Sequence, residues 1–129
     1  MKVSDIMTKG VVSVETSSSI ATAAEVMRAN GIGSVLVSKA NMIEGIVSEL
    51  DIVLKAVAKG HDPNSIQAGE IMTAGLITCS EDQSVDDALS IMRDQSVHHL
   101  VVLNKAGNAV GMLSLGDILL SAVPAGSKK

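Results

Sequence analysis

The sequence contains no Phe, Tyr or Trp, and this absence limits both its core and its ligands. Hydrophobic residues still make up 47% of the 129 residues, so the core must be aliphatic, with seven Met to fill irregular gaps. Proteins that bind single-stranded nucleic acid commonly stack bases on aromatic side chains. A stacking surface of that kind is therefore excluded.

Positive charge is also scarce. Lys and Arg number 10 against 14 Asp and Glu, which gives a formal net charge of −4. No broad basic field exists to attract a polyanion, so we expect no binding to a nucleic-acid duplex. A small anionic ligand held by a few local groups is compatible with this charge, because net charge does not set the local potential.

The chain has one cysteine and no long apolar run. Cys79 cannot form an intrachain disulfide, which is typical of a reducing compartment, and we interpret it as a small buried hydrophobe rather than a nucleophile. No stretch approaches the roughly 20 apolar residues of a membrane helix, and the first residues lack the apolar region of a secretory signal. We therefore expect a cytoplasmic protein without membrane insertion.

The sequence is duplicated. Matching segments recur at an offset of 65 or 66 residues, as in Asp-Ile-Met-Thr at 5–8 and Glu-Ile-Met-Thr at 70–73, Val-Met-Arg at 26–28 and Ile-Met-Arg at 91–93, and Gly-Ile-Val-Ser at 45–48 and Gly-Met-Leu-Ser at 111–114. Agreement at separate places with nearly constant spacing indicates a true repeat. We expect one repeat over residues 1–60, a linker over 61–68, a second repeat over 69–123 and a flexible tail over 124–129.

Each repeat is predicted to run strand, helix, strand, strand, helix. In the first repeat a β-branched strand at 11–14 precedes a helix that Ser19 caps and Gly31 ends. A hairpin over 34–47 and a helix over 51–57 follow.

The second repeat has the same predicted order. Ser84 caps its first helix, with Asp87 placed for a capping box. A hairpin over 100–114 and a helix from Asp117 to about Ala122 follow. A unit of about 60 residues buries only about 60% of its unfolded surface. Two such units that share a sheet-to-sheet interface would bury more. We therefore predict an α/β (α+β) fold of two β-α-β-β-α units, packed sheet to sheet with pseudo-twofold symmetry.

Two motifs, each present twice and in the same order, relate the chain to a known family. Ile-Met-Thr opens each repeat, at 6–8 and 71–73, and Gly-x-x-Ser-x-x-Asp closes each, at 45–51 and 111–117. The chain resembles a tandem pair of CBS (cystathionine-β-synthase) domains, a stand-alone Bateman-type module, over nearly its whole length. The resemblance implies two clefts between the repeats and a homodimer of pairs. It also implies regulation of a partner protein that the sequence does not identify.

The resemblance further implies a regulatory ligand of the adenosine class, namely AMP, ADP, ATP, NAD or S-adenosylmethionine, and no obligatory cofactor. The closing motif has suitable chemistry, because the Asp117 carboxylate can accept hydrogen bonds from the two vicinal hydroxyls of a ribose. Ser114 could reach a ribose or phosphate oxygen, and Gly116 would let the backbone approach the ligand. Asp51 and Ser48 are the first-repeat equivalents. The alternative is that each Asp only stabilises a helix start, where an acidic side chain is worth about 0.3–1 kcal/mol.

His98 and His99 stand where the resemblance implies a basic pair that meets phosphates. Adjacent strand residues face opposite sides, so at most one points into a given cleft. Histidine is mostly neutral at pH 7, which weighs against tight triphosphate binding. The first repeat has Gly33 and Ser34 there, so the cleft that contains Asp117 is the better equipped of the two.

Apolar walls for the adenine are implied by the resemblance alone. Val12 and Ile32 would serve the better-equipped cleft, and Ile77 and Val97 the weaker one. The alternative for all four residues is ordinary core packing.

Three classes of function follow from these observations. A ligand-sensing regulatory module agrees with both motifs, and a ligand-independent dimerisation or protein-interaction scaffold is the alternative. An enzyme fits least, because the sequence has no metal-ligand spacing and no Walker or Rossmann glycine pattern. We therefore predict no catalytic residues and no metal ligands.

Overall fold

The computed structural model describes residues 1–122, and the predicted tail over 124–129 lies outside the described residues. The elements follow one another as α1 Val3–Ile6, β1 Thr8–Lys9, β2 Ser13–Glu15, α2 Ile20–Asn30, β3 Ser34–Lys39, β4 Met42–Ser48, α3 Glu49–Asp51 with a continuous π-helical segment Ile52–Val57, α4 Ala68–Ile71, β5 Thr73–Ala74, β6 Thr78–Ser80, α5 Val85–Gln95, β7 His99–Leu103, β8 Ala109–Ser114 and α6 Leu115–Ser121. The mixed α/β class predicted from the sequence is confirmed.

The chain folds as two compact units. The first-repeat unit is Val12–Leu76, and the second-repeat unit combines Met1–Val11 with the residues from Ile77 onward. Each unit holds one four-stranded sheet, ordered β2-β3-β4-β5 in the former and β1-β8-β7-β6 in the latter. In each sheet one strand pair is parallel and the other two are antiparallel.

The opening segment of each repeat belongs to the compact unit of the other repeat. Strand β1 pairs antiparallel with β8, and β5 pairs antiparallel with β4. The opening strand thereby supplies backbone partners to a hairpin edge that would otherwise be unpaired. The boundaries predicted near residues 60 and 69 mark the duplicated sequence, whereas the compact units divide at residues 11 and 76.

The predicted helix signals agree with the observed helices. Ser19 Oγ accepts a hydrogen bond from the Thr22 N–H at the start of α2, and Gly31 ends this helix in the left-handed conformation, with φ of 64°. Ser84 Oγ accepts from the Asp87 N–H, but the structure gives no return bond from the Asp87 carboxylate. The predicted capping box there is therefore only half formed. The predicted strand at 11–14 begins later, at Ser13.

Both cores are aliphatic, as the composition requires. Ile20, Val35, Val37 and Val47 are fully buried in the first-repeat unit. In the second-repeat unit the fully buried side chains of the core include Val3, Leu100, Val102 and Leu113. Val3 comes from the opening segment of the first repeat. That segment therefore supplies core packing as well as strand pairing to the second-repeat unit.

Candidate functional site

The closing motif of the second repeat forms a reciprocal capping box where β8 meets α6. Ser114 Oγ accepts a hydrogen bond from the Asp117 N–H at 3.0 Å, and Asp117 Oδ2 accepts from the Ser114 N–H at 2.9 Å. Each side chain satisfies a backbone donor that the helix start leaves unpaired. The Ser-x-x-Asp spacing is itself a sequence signature of this box, so the capping role of Ser114 was missed although its signal was present.

The box leaves two polar groups available on the second-repeat unit. Neither Asp117 Oδ1 nor the Ser114 hydroxyl proton has a hydrogen-bond partner among residues 1–122. Gly116 lies between them and is exposed. A Cβ added at Gly116 would approach only Ser114 Oγ, at 3.5 Å, so the space beside the box is open. The site therefore presents one acceptor and one donor close together.

The two histidines lie beside this box. The His98 carbonyl accepts a hydrogen bond from the Leu115 N–H at 2.8 Å, which ties the chain before β7 to the turn that follows Ser114. His98 is exposed, whereas His99 is partly buried and stands opposite Ser114 in the β7–β8 register. Five residues were predicted for the second-repeat side of the better-equipped cleft. All five therefore lie close together around the Ser114–Asp117 box.

The first repeat forms the same capping box, but more of its polar atoms have partners within the unit. Asp51 Oδ2 accepts from the Ser48 N–H at 2.9 Å and from the Ser48 hydroxyl at 3.2 Å. Asp51 Oδ1 lies 3.1 Å from Lys55 Nζ and accepts from Thr73 Oγ1 at 3.4 Å. Both carboxylate oxygens and the serine hydroxyl thus have partners within the same unit.

The four apolar wall candidates pack on the cores of their own units. Val12 and Ile32 are partly buried against the first-repeat core, and Ile77 and Val97 against the second-repeat core. The Val12 and Ile77 carbonyls also accept from Leu36 and Val101 N–H groups, at 2.9 and 3.0 Å. This is core packing of the kind weighed in the sequence analysis, and contact with a ligand stays a prediction for all four.

The first-repeat unit carries an open groove of about 570 Å³. Its lining comes from α2, from the turn that follows it and from the start of the second helical region. The Glu49 carboxylate lies over Gly33, because a Cβ placed on that glycine would be 3.0 Å from Glu49 Oε1. In the second repeat, His98 stands at the position of Gly33 and Leu115 at that of Glu49.

Cys79 lies on β6 in the core of the second-repeat unit. Burial raises the pKa of its thiol to about 11, so it stays protonated, and a poor nucleophile, at neutral pH. Within residues 1–122 no group of three or more His, Cys, Asp and Glu side chains is placed to hold a metal ion. No helix in this described part is long and apolar enough to span a bilayer.

Three similar proteins each match 82% or more of this chain. Protein MK0525 of Methanopyrus kandleri is 36% identical over 110 residues, which cover 82% of this chain and 56% of that protein. A putative signal-transduction protein with CBS domains from Burkholderia ambifaria superposes with a TM-score of 0.81 at 29% identity, covering 93% of this chain and 88% of that one. A hexameric CBS-CP12 protein from bloom-forming cyanobacteria superposes with a TM-score of 0.85 at 27% identity, covering 95% and 71%.

The family assignment rests on two separate matches. The CBS domain model matches residues 3–57 and again residues 68–123, one match for each repeat recognised in the sequence. CBS domain proteins are generally regulatory modules, and no enzyme activity is indicated for this one. The chain belongs to the CBS domain family, as a tandem pair of its domains.

Proposed function

We propose that this chain is a regulatory module that binds an adenosine-containing ligand at the Ser114–Asp117 box and signals its presence to a partner protein. The supporting observation is that two groups at that box, Asp117 Oδ1 and the Ser114 hydroxyl proton, have no hydrogen-bond partner within residues 1–122. A ribose hydroxyl donates to the former, and a ribose or phosphate oxygen accepts from the latter.

The ligand class follows from the polar groups around the Ser114–Asp117 box. The ribose diol is common to AMP, ADP, ATP, NAD and S-adenosylmethionine, and a carboxylate is the protein group that binds such a diol in dinucleotide sites. His98, exposed beside the box, offers an imidazole rather than an always-charged guanidinium, which favours a ligand of low charge over a triphosphate. Open space at Gly116 lets the ligand approach the backbone. No cofactor is required for this role.

A binding measurement with the five ligands tests the proposal. At about 1 mM, at least one of them is expected to raise the melting temperature, since a ligand that binds only the folded state stabilises it. Asp117→Asn is expected to weaken binding by about tenfold or more, because hydrogen bonds to a charged group contribute about 1.5–3 kcal/mol. Calorimetric titration measures both affinities.

Asp87→Asn is the matched control, because Asp87 occupies the same third position in α5 as Asp117 does in α6. It is expected to bind like the wild type. Absence of any thermal response with all five ligands would contradict the proposed function, and so would unchanged affinity in Asp117→Asn.

A second candidate function, self-association without a ligand, is favoured by an apolar stripe on the first-repeat unit. Leu50, Val53, Leu54 and Val57 follow the spacing of one helix face, and each is 50–60% exposed. The second repeat exposes Leu119 and Leu120 at the positions equivalent to Val53 and Leu54. We commit to a second copy of the chain as the occupant, because both repeats expose the central pair of this stripe, and the similar CBS-CP12 protein is a hexamer.

Sedimentation velocity tests this self-association. The wild type is expected to be a homodimer at about 100 μM, and Leu54→Glu is expected to be monomeric, because a buried unpaired carboxylate opposes association. Met42→Glu is the control, since Met42 is 68% exposed on a hairpin outside the stripe. A wild type that sediments as a monomer, or a Leu54→Glu variant that stays dimeric, would refute the assignment of this surface.

A further inference from the structure

We propose that Lys55 acts as an internal occupant of the Asp51 box, so that of the two Ser-x-x-Asp boxes only the one at Asp117 accepts a ligand. This inference rests on the proposed function and assigns the binding to one repeat. The boxes are equivalent in sequence and in backbone geometry, and they differ in what surrounds the carboxylate.

The contacts of Lys55 close the first-repeat box. Its ammonium lies 3.1 Å from Asp51 Oδ1 and donates to the Ile71 carbonyl at 3.2 Å. The Asp51 side chain is only 12% exposed. A ligand diol at this carboxylate would have to displace an ammonium that is ion-paired with it.

The helix around the lysine has an uncommon geometry. Lys55 lies in the π-helical segment, where the Ala58 N–H donates to the Val53 carbonyl at 2.8 Å, five residues back. Such segments are rare and often mark functional positions. Ile71 is the last residue of α4, where carbonyls lack intrahelical donors, so the ammonium also caps that helix end.

Among residues 1–122 the second repeat has no such occupant. Ser121 stands at the position of Lys55, and its hydroxyl donates to the Ile118 carbonyl at 2.7 Å rather than to Asp117. Helix α6 is an ordinary α-helix through this residue. Thr8, equivalent to Thr73, forms no side-chain hydrogen bond to Asp117 in the described part of the chain, unlike Thr73 to Asp51. Within the part of the chain that the structure describes, the Asp117 carboxylate therefore keeps an oxygen available where the Asp51 carboxylate does not.

The substitution Lys55→Ser, which places the second-repeat residue in the first repeat, tests the inference. Isothermal titration with AMP is expected to give one site per chain for the wild type and two for Lys55→Ser. In the wild type, Asp51→Asn is expected to leave binding unchanged. In the Lys55→Ser background, Asp51→Asn is expected to remove the second site. Lys55→Gln, which keeps much of the side-chain length without the charge, serves as a second variant should Lys55→Ser unfold.

The outcomes separate this inference from the function on which it rests. Lys59→Ser is the matched control, an exposed lysine just beyond the π-helical segment, and is expected to keep one site. Two wild-type sites, one of them lost in Asp51→Asn, would overturn the inference and leave the proposed function standing. A single site in folded Lys55→Ser and Lys55→Gln would overturn it as well. If wild type and both Lys55 variants bind none of AMP, ADP, ATP, NAD and S-adenosylmethionine, both the inference and the proposed function are contradicted.

Discussion

Replacing Leu100 by Ala is expected to lower the free energy of unfolding by about 3–4 kcal/mol, within the 2–5 kcal/mol range of buried Leu-to-Ala changes. Leu100 is fully buried on β7 and pairs with Leu113 on β8. Its neighbours Val3 and Val102 are β-branched, with restricted side-chain rotation, so the cavity closes poorly. The loss therefore falls in the middle to upper part of that range.

Urea unfolding followed by far-ultraviolet circular dichroism measures this loss. The chain has no Trp or Tyr, so backbone dichroism is the appropriate signal. Met42→Ala is the control, because Met42 is 68% exposed on a hairpin outside the apolar stripe, and its effect is expected to stay within about 0.5 kcal/mol. A Leu100→Ala midpoint equal to that of the control would show that β7 does not pack as described.

Features with a local cause could be predicted from the sequence. The caps at Ser19 and Ser84 depend on residues within one helical turn, and the hairpins depend on a short polar turn between apolar runs. The duplication itself needed only an internal comparison. The closing motif also located the Ser114–Asp117 box, although its capping role was missed.

The exchange of the opening segments could not be predicted by the same reasoning. Helix α1 is a single turn of four residues and β1 has only two, so neither shows a usable periodicity. Their placement depends on pairing with β8, which lies far along the chain. Contacts of that kind are set by tertiary packing, and no local pattern encodes them.

The inequality of the two boxes was predicted, but for a different reason. The sequence predicts that the Asp117 cleft is the better equipped, because His98 and His99 replace Gly33 and Ser34. The structure adds the ammonium of Lys55. The lysine reaches the Ile71 carbonyl from another element, and the sequence shows neither that contact nor the π-helical geometry.

Replacing Gly111 by Ala is expected to destabilise the second-repeat unit by about 2–3 kcal/mol, the upper range for an overpacked site. An added Cβ would lie 2.6 Å from the Thr8 carbonyl oxygen and 2.8 Å from Met7 Sδ. The flexible Met7 side chain can move aside, but the backbone oxygen cannot do so without displacing β1. Since β1 pairs with β8 at this glycine, the exchanged segment is expected to detach.

Two measurements follow the Gly111→Ala change, namely the urea midpoint and hydrogen exchange at the Val3 amide. That amide donates to the Gln83 carbonyl at 2.9 Å in the folded protein and is expected to lose protection before the β7 amides do. Gly45→Ala is expected to behave alike in the first-repeat unit, where its Cβ would lie 2.5 Å from the Thr73 oxygen. Gly116→Ala is the control, with only a 3.5 Å contact to Ser114 Oγ. If Gly111→Ala keeps the wild-type urea midpoint and the wild-type protection of the Val3 amide, the close approach of β1 to β8 is contradicted. The placement of the first repeat's opening segment in the second-repeat unit would then be contradicted as well.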